Sequence, residues 1–212
     1  MGMKNIFRVD TCENLKRGVN KAGNILLAGG SVAFPTESFY GLGVNAMDEE
    51  AIRRLFHIKC RESGKPVLIL LPSRDDLQKY VEEIPSIAME LTKTFWPGGL
   101  TIILNASSNI SPLLTSGTGK IGVRLSSHPV AAALTGAIHG PITGTSANIS
   151  GEPPCAAADE VQKRFGEKVD LILDGGRTGS GKGSTILDVT TEPPEILREG
   201  MISREQLKKF IA

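Results

Sequence analysis

The chain has 212 residues, 40% of them hydrophobic and 22% charged, a balance that supports one sizeable core. Lys plus Arg number 24 against 23 for Asp plus Glu, a formal net charge of +1, so bulk charge gives no argument for nucleic acid or an anionic membrane and any polyanion site has to be a local cluster. The longest apolar run, Val67 to Leu71, is far too short to cross a bilayer, and Cys12, Cys60 and Cys155, odd in number and far apart, suit a reducing compartment without disulfides.

The periodicity predicts a first helix over Thr11 to Ala28, with Leu15, Val19, Ala22, Ile25 and Leu26 on one face and Gly29-Gly30 ending it. A strand follows from Ser31 to Phe34. It runs into a dense polar, glycine-punctuated stretch, Pro35 to Gly43, that reads as a ligand loop beyond the strand end. Asp48 is placed to cap a helix from Glu49 to about Lys59. Val67 to Leu71 reads as a strand. Ser73 or Asp75 caps a short helix to Tyr80, and another helix runs from Ser86 to Phe95 into Trp96-Pro-Gly-Gly. Leu100 to Leu104 and Ile121 to Leu125 read as strands, separated by a polar loop with at most one helical turn. Pro129 to Ala137 is a small helix, and Pro141 to Thr145 a strand leading into Ser146-Ala-Asn-Ile-Ser-Gly151. The last part reads as a helix over Asp159 to Phe165, a buried strand over Val169 to Leu173, a flexible loop over Arg177 to Gly183, strands at Ser184 to Val189 and Glu195 to Arg198, and a closing helix to Ile211 capped by Ser203 with Gln206. Interleaved strands and helices with no evident linker predict a single α/β domain over residues 1–212, an open twisted mixed sheet with flanking helices and a concave central cavity.

Four clusters carry candidate chemistry. Lys59, Cys60, Arg61, Ser63 and Lys65 place three cations where a helix ends. They suit phosphate binding, and equally suit a plain answer to the helix dipole. Arg124 is a cation inside an apolar strand, facing either solvent or a carboxylate. Thr145, Ser146, Asn148 and Ser150 put hydroxyls and an amide directly after a strand, fit for a nucleotide or an amino acid, or for an Asx turn. Gly176 to Lys182 has P-loop spacing. However, Gly183 stands where Ser or Thr is required, and the segment that follows reads as a strand rather than the helix that would hold phosphates. No nucleophile–base pair can be assembled: Cys60 has cationic neighbours but no partner, and His128 either caps a helix or meets a phosphate. No Cys or His pair has metal-ligand spacing.

Seven motifs, in order, resemble the YrdC/Sua5 family, the L-threonylcarbamoyladenylate synthases, in their short form. They are Pro35-Thr-Glu-Ser-Phe-Tyr-Gly-Leu-Gly43, Lys59-Cys-Arg61 with Lys65-Pro66, Trp96-Pro-Gly-Gly-Leu-Thr101, Val123-Arg124 with His128-Pro129, Thr145-Ser-Ala-Asn-Ile-Ser-Gly151, Ser184-Thr-Ile, and Leu197-Arg198 with Gly200. The resemblance implies a YrdC-like fold, a cytoplasmic protein, and an enzyme combining L-threonine, bicarbonate and ATP into threonylcarbamoyl-AMP and pyrophosphate. Downstream threonylcarbamoyl-transfer proteins then carry the group to a tRNA adenosine beside the anticodon. It implies threonine contacts from Thr36, Arg124 and Ser184, with Tyr40 either lining that pocket or packing beneath it. It implies ATP contacts from Lys59, Arg61, Ser146, Asn148 and Arg198, with Ser63 and Lys65 as further candidates beside Thr145. Lys59 and Arg61 are the cations expected to face the cavity and stabilise the crowded phosphates. Mg²⁺ is expected on the ATP phosphates, with no protein metal cage.

The sequence departs from the family pattern at Ser38, Phe39, Glu62, Gly99 and Ser126, of which Glu62 adds a negative charge beside the cations. Two other readings are carried. One is a double-stranded RNA or tRNA-binding module without catalysis, resting on Arg53, Arg54, Lys59, Arg61 and Lys65. The other is a paralogous enzyme forming a different carbamoyl adenylate. Glu37 is expected to shape its loop.

Overall fold

The computed structural model describes residues 5–60, 64–179 and 181–211. Strands β1 (Ile6–Arg8), β9 (Leu171–Asp174), β2 (Val32–Pro35), β3 (Tyr40–Gly43) and β8 (Thr145–Ser146) form one sheet in the order β1-β9-β2-β3-β8. Strands β11 (Glu195–Arg198), β10 (Thr185–Asp188), β5 (Leu100–Asn105), β6 (Lys120–Arg124), β4 (Ile69–Leu70) and β7 (Ile142–Thr143) form a second in the order β11-β10-β5-β6-β4-β7. Both are mixed: β2 is parallel to β9 and antiparallel to β3, and β5 is parallel to β10 and antiparallel to β6. The α/β class and the mixed pairing therefore match the expectation, but in two sheets instead of one.

Local chemistry explains the helices. Thr11 accepts a bond from the Asn14 amide at 3.1 Å to start α1 (Cys12–Leu27), and Asp48 accepts from the Ala51 amide at 3.1 Å to start α2 (Glu49–Lys59). α3 (Ser86–Phe95) and α5 (Pro129–Ala137) keep their expected bounds. α4 (Pro112–Thr115) is the single turn in the 107–119 loop, α6 spans Ala158–Phe165, and α7 (Arg204–Ile211) starts at the Ser203–Gln206 capping box. The short helix over Asp75–Lys79 is a tighter 3₁₀ segment.

Alternation along β2 sorts the core. Val32 and Phe34 pack with Leu26 of α1 and Leu134 of α5, while Ala33 faces the larger cluster holding Tyr40, Leu42, Ile69, Ile102 and Val123. Several local readings change: strand β1 precedes the first expected element, and the strand expected over Val67 to Leu71 shortens to Ile69–Leu70. Tyr40 to Gly43, expected as loop, is a strand: Gly41 pairs with Phe34 on one side and Ser146 on the other. Pro141 to Thr145, expected as one strand, splits at Gly144 so that β7 closes one sheet and β8 the other. A Cβ on Gly144 would run into the Leu68 and Leu70 side chains, so any larger residue where the chain passes from sheet to sheet would have to displace them.

Candidate active site

The crossing at Gly144 forms part of the wall of a cavity of about 370 Å³, within the range of small-molecule sites. Thr36, Ser38, Tyr40, Arg124, Ser184 and Arg198 give it polar walls, and Pro66, Val67, Leu68 and Ile186 give it apolar ones. The sheet positions these groups: Arg124 ends β6, Ser184 immediately precedes β10, and Thr36 and Tyr40 flank the turn between β2 and β3.

Arg124 is the electrostatic centre. It is 4% exposed, and burial pulls its guanidinium below the usual arginine value, with Glu37 opposing that shift and Arg198 adding to it. Its Nε stands 3.6 Å from Glu37 Oε1, an ion pair too long to be a hydrogen bond, and both of those atoms are buried without a hydrogen-bond partner. Glu37 Oε2 in turn accepts from the Ser126 hydroxyl at 2.5 Å, and Ser126 Oγ accepts from the His128 amide at 3.2 Å. The Arg124–Glu37 pairing escaped the sequence, because the two residues are 87 positions apart and nothing local marks Glu37 as more than a turn residue.

Ser184 is 2% exposed. Arg198 donates twice to its carbonyl, at 3.1 Å from Nε and 2.8 Å from NH2, and NH2 reaches its Oγ at 3.1 Å. Arg198, expected at ATP, thus also braces Ser184 while lining the cavity. Thr36 Oγ1 donates to the Phe39 carbonyl at 2.7 Å and accepts from the Ser38 amide at 3.1 Å and the Ser38 hydroxyl at 3.0 Å, so its proton and both lone pairs are committed to the turn. Tyr40 both lines the cavity and anchors β3: it is fully buried, its hydroxyl donates to the Gly176 carbonyl at 2.7 Å, and burial pushes its pKa up, so it stays a phenol.

Thr145 and Ser146 line the cavity, but Asn148 does not. Asn148 accepts from Ser146 Oγ at 2.5 Å and donates to the Glu152 carbonyl at 2.6 Å, holding the 146–152 loop in shape. Lys59, expected to face the cavity, is 1% exposed and lies behind its wall. Its ammonium donates to the Ser146 carbonyl and, at 2.6 Å, to the Asn148 carbonyl, while its own carbonyl accepts from the Ser150 amide at 3.0 Å. Lys65 is exposed beside Pro66 at the rim. Arg61, Glu62 and Ser63 lie outside the described residues.

Other candidates resolve plainly. His128 caps α5, accepting from the Val130 amide at Nδ1, 3.2 Å away, and burial lowers its pKa, which suits a neutral ring. Cys155 is buried and burial raises its thiol pKa, while exposed Cys60 closes α2 with φ 48°. Arg53 pairs with Glu49 and Glu50, and Arg54 pairs with Asp170 at 2.8 Å, so two of the five cations in the RNA-binding reading are answered by carboxylates. The P-loop spacing ends in β10, a strand, which lacks the helix N-terminus a P-loop needs. Among the described residues no group of three His, Cys, Asp or Glu could hold a metal, and no helix is long and apolar enough to cross a membrane.

The chain is similar in sequence and fold to known proteins. The Sua5_yciO_yrdC family model, described as telomere recombination, matches residues 24–200. The chain is 40% identical over 190 residues to the threonylcarbamoyl-AMP synthase of Pyrococcus abyssi (strain GE5 / Orsay), covering 90% of this chain and 56% of that protein, so it spans little more than half the relative's length. The crystal structure of P. abyssi Sua5 complexed with L-threonine superposes with a TM-score of 0.94 at 38% identity, covering 98% of this chain and 61% of that one. E. coli YciO superposes with a TM-score of 0.83 at 30% identity, covering 95% and 97%.

Proposed function

The chain belongs to the Sua5/YciO/YrdC family, and on that ground we propose that it is a nucleotidyltransferase that forms threonylcarbamoyl-AMP and pyrophosphate from L-threonine, bicarbonate and ATP. The observation that carries this reading is Arg124. Among the described residues its buried guanidinium makes no hydrogen bond, and it lines a cavity beside the Ser184 hydroxyl. A planar carboxylate answers such a fork bidentately, as no water or hydroxyl can. The relative complexed with L-threonine supports threonine as the amino acid.

In this reading Arg124 and Ser184 hold the amino-acid carboxylate and Thr36 borders the pocket. Bicarbonate converts the amine to a carbamate with loss of water. A carbamate oxygen then bonds to the α-phosphorus of ATP as the bond to the pyrophosphate oxygen breaks. Thr145 and Ser146 border the nucleotide, with Lys59 and Asn148 holding their loop, and Arg198 offsets negative charge gathering at phosphorus. Catalysis is then positioning and charge stabilisation without a covalent enzyme intermediate, in keeping with a lining that, among the described residues, presents no nucleophile–base pair. In this reading a Mg²⁺ ion is carried on the ATP phosphates. Delivery of the threonylcarbamoyl group to tRNA falls to other proteins.

The test is to incubate the full chain with L-threonine, bicarbonate, ATP and Mg²⁺. Threonine-dependent pyrophosphate and an adenylate carrying the threonylcarbamoyl mass are expected. Pyrophosphate release that ignores threonine, or none at all, refutes the assignment.

A further inference from the structure

None of the residues Trp96 to Thr101 lines the cavity, yet the last of them touches a residue that does. Thr101 is 1% exposed and lies on β5, between β10 and β6. It pairs with Ile186 of β10, while the next residue, Ile102, pairs with Val123 of β6. Thr101 therefore stands between the strand that follows Ser184 and the strand that ends in Arg124.

Its Oγ1 donates to Ser184 Oγ at 2.9 Å, and Arg198 NH2 donates to the same oxygen at 3.1 Å. A hydroxyl oxygen has two lone pairs and one proton. Both lone pairs of Ser184 are thus filled from within the protein, and its proton is what remains for a ligand. The Thr101 rotamer is held as well. A Cβ on Gly122 would come within 3.3 Å of Thr101 Cγ2, so the bare glycine makes room for the methyl on β6 while the hydroxyl turns to β10. A β-branched side chain has few alternatives once its methyl is placed.

We propose that Thr101 is a positioning residue that makes Ser184 an obligate donor, so that the cavity takes an α-amino acid through a carboxylate oxygen and discriminates against the carboxamide, whose NH₂ half has only protons to offer there. The proposal rests on the assignment of this cavity to L-threonine and adds to it the group that sets its polarity. Without the Thr101 hydroxyl, one Ser184 lone pair is open and Ser184 can accept as well as donate.

The experiment is calorimetric titration of the full chain with L-threonine and with L-threoninamide, alongside pyrophosphate release from the same preparations. Thr101→Val removes the hydroxyl at nearly constant volume. It is expected to weaken L-threonine binding about fivefold, because Ser184 no longer presents its proton alone to the carboxylate, and to leave L-threoninamide within about twofold. Thr101→Ser keeps the hydroxyl and is expected to stay within about threefold of the parent for both ligands. Thr101→Ala, which removes the same donor with less bulk, carries the same expectation as valine and serves if the valine variant does not fold. Equal loss for both ligands, unchanged threonine affinity, or a serine variant that behaves like valine overturns the proposal. A parent chain that does not bind threonine overturns both the site assignment and this inference. Selective loss in Thr101→Val from a chain that binds threonine but releases no pyrophosphate upholds the inference and overturns the synthase reading.

Discussion

Replacing Glu37 by glutamine removes one charge from the Arg124 pair and little else. The side chain keeps its shape, and its carbonyl oxygen can still accept from Ser126, which now donates to Glu37 Oε2 at 2.5 Å. The partners are 5% and 10% exposed and 3.6 Å apart, so water screens them little. At an effective dielectric of about 20, two unit charges at that separation attract by about 4–5 kcal/mol, close to the roughly 3–5 kcal/mol that removing one partner of a buried pair costs. A chain of this size loses about 2–4 °C of melting temperature per kcal/mol, which places the Glu37→Gln variant about 6–20 °C below the parent. Scanning calorimetry reads the shift directly. The same reasoning fixes the response to ligand: with its internal counter-charge gone, Arg124 gains more from a substrate carboxylate. Saturating L-threonine should therefore raise the melting temperature of the variant more than that of the parent. A variant melting within about 2 °C of the parent refutes the electrostatic argument, and an equal threonine response in both proteins refutes Arg124 as the carboxylate's partner.

Four further outcomes are expected. Gly200→Ala puts a Cβ 2.2 Å from the Gly183 carbonyl oxygen and 2.7 Å from the Ser184 carbonyl carbon, backbone that has little room to yield; threonine affinity measured by calorimetry falls, and the fold loses about 1–3 kcal/mol in urea titration. Lys59→Met keeps the apolar stem and loses the bonds to the Ser146 and Asn148 carbonyls, so KM for ATP rises about tenfold with KM for threonine nearly constant, and the melting temperature falls with it, as it would not for a lysine that only touched phosphates. Tyr40→Phe strands the Gly176 carbonyl and costs about 1 kcal/mol in the same titration, with a pH–rate profile unchanged through neutrality because burial already keeps the phenol protonated. Asp188 has a pKa that burial raises but that the Thr190 bonds and Lys120 pull down further, for a net lowering. Its folded value therefore lies below the unfolded one, so its stabilisation is complete above the ordinary aspartate value of about 3.9 and is lost as pH falls through the folded value. Asp188→Asn is less stable than the parent at pH 7, and the gap closes below about pH 4.

Much of this protein is legible along the chain. Helix α5 begins at Pro129 and ends at Ala137, and α3 runs from Ser86 to Phe95, as proline, capping and apolar spacing foretell, because a helix makes its bonds within itself. The polar stretch from Pro35 onward supplies Thr36 and Tyr40 to the cavity, and Arg124 and Ser184 reach it from the motifs in which they stand out. Sequence alone thus determined the α/β class, the helices, the family resemblance and most of the polar side chains of the cavity.

Tertiary structure decided what depends on partners far along the chain. Tyr40 to Gly43 is strand because β2 and β8 bond to it on either side, and Pro141 to Thr145 divides because Gly144 fits under Leu68 and Leu70 where the sheets meet. Lys59, a cation in a run of cations, turns inward because the carbonyls of Ser146 and Asn148 replace its water, and local spacing cannot announce acceptors 87 and 89 residues away. Glu37 and Thr101 belong to the same class: each stands in a motif of the family resemblance, yet nothing local gives either a contact in the site. Each acquires one through a group brought alongside by strand pairing, which sets Glu37 against Arg124 and the Thr101 hydroxyl against Ser184.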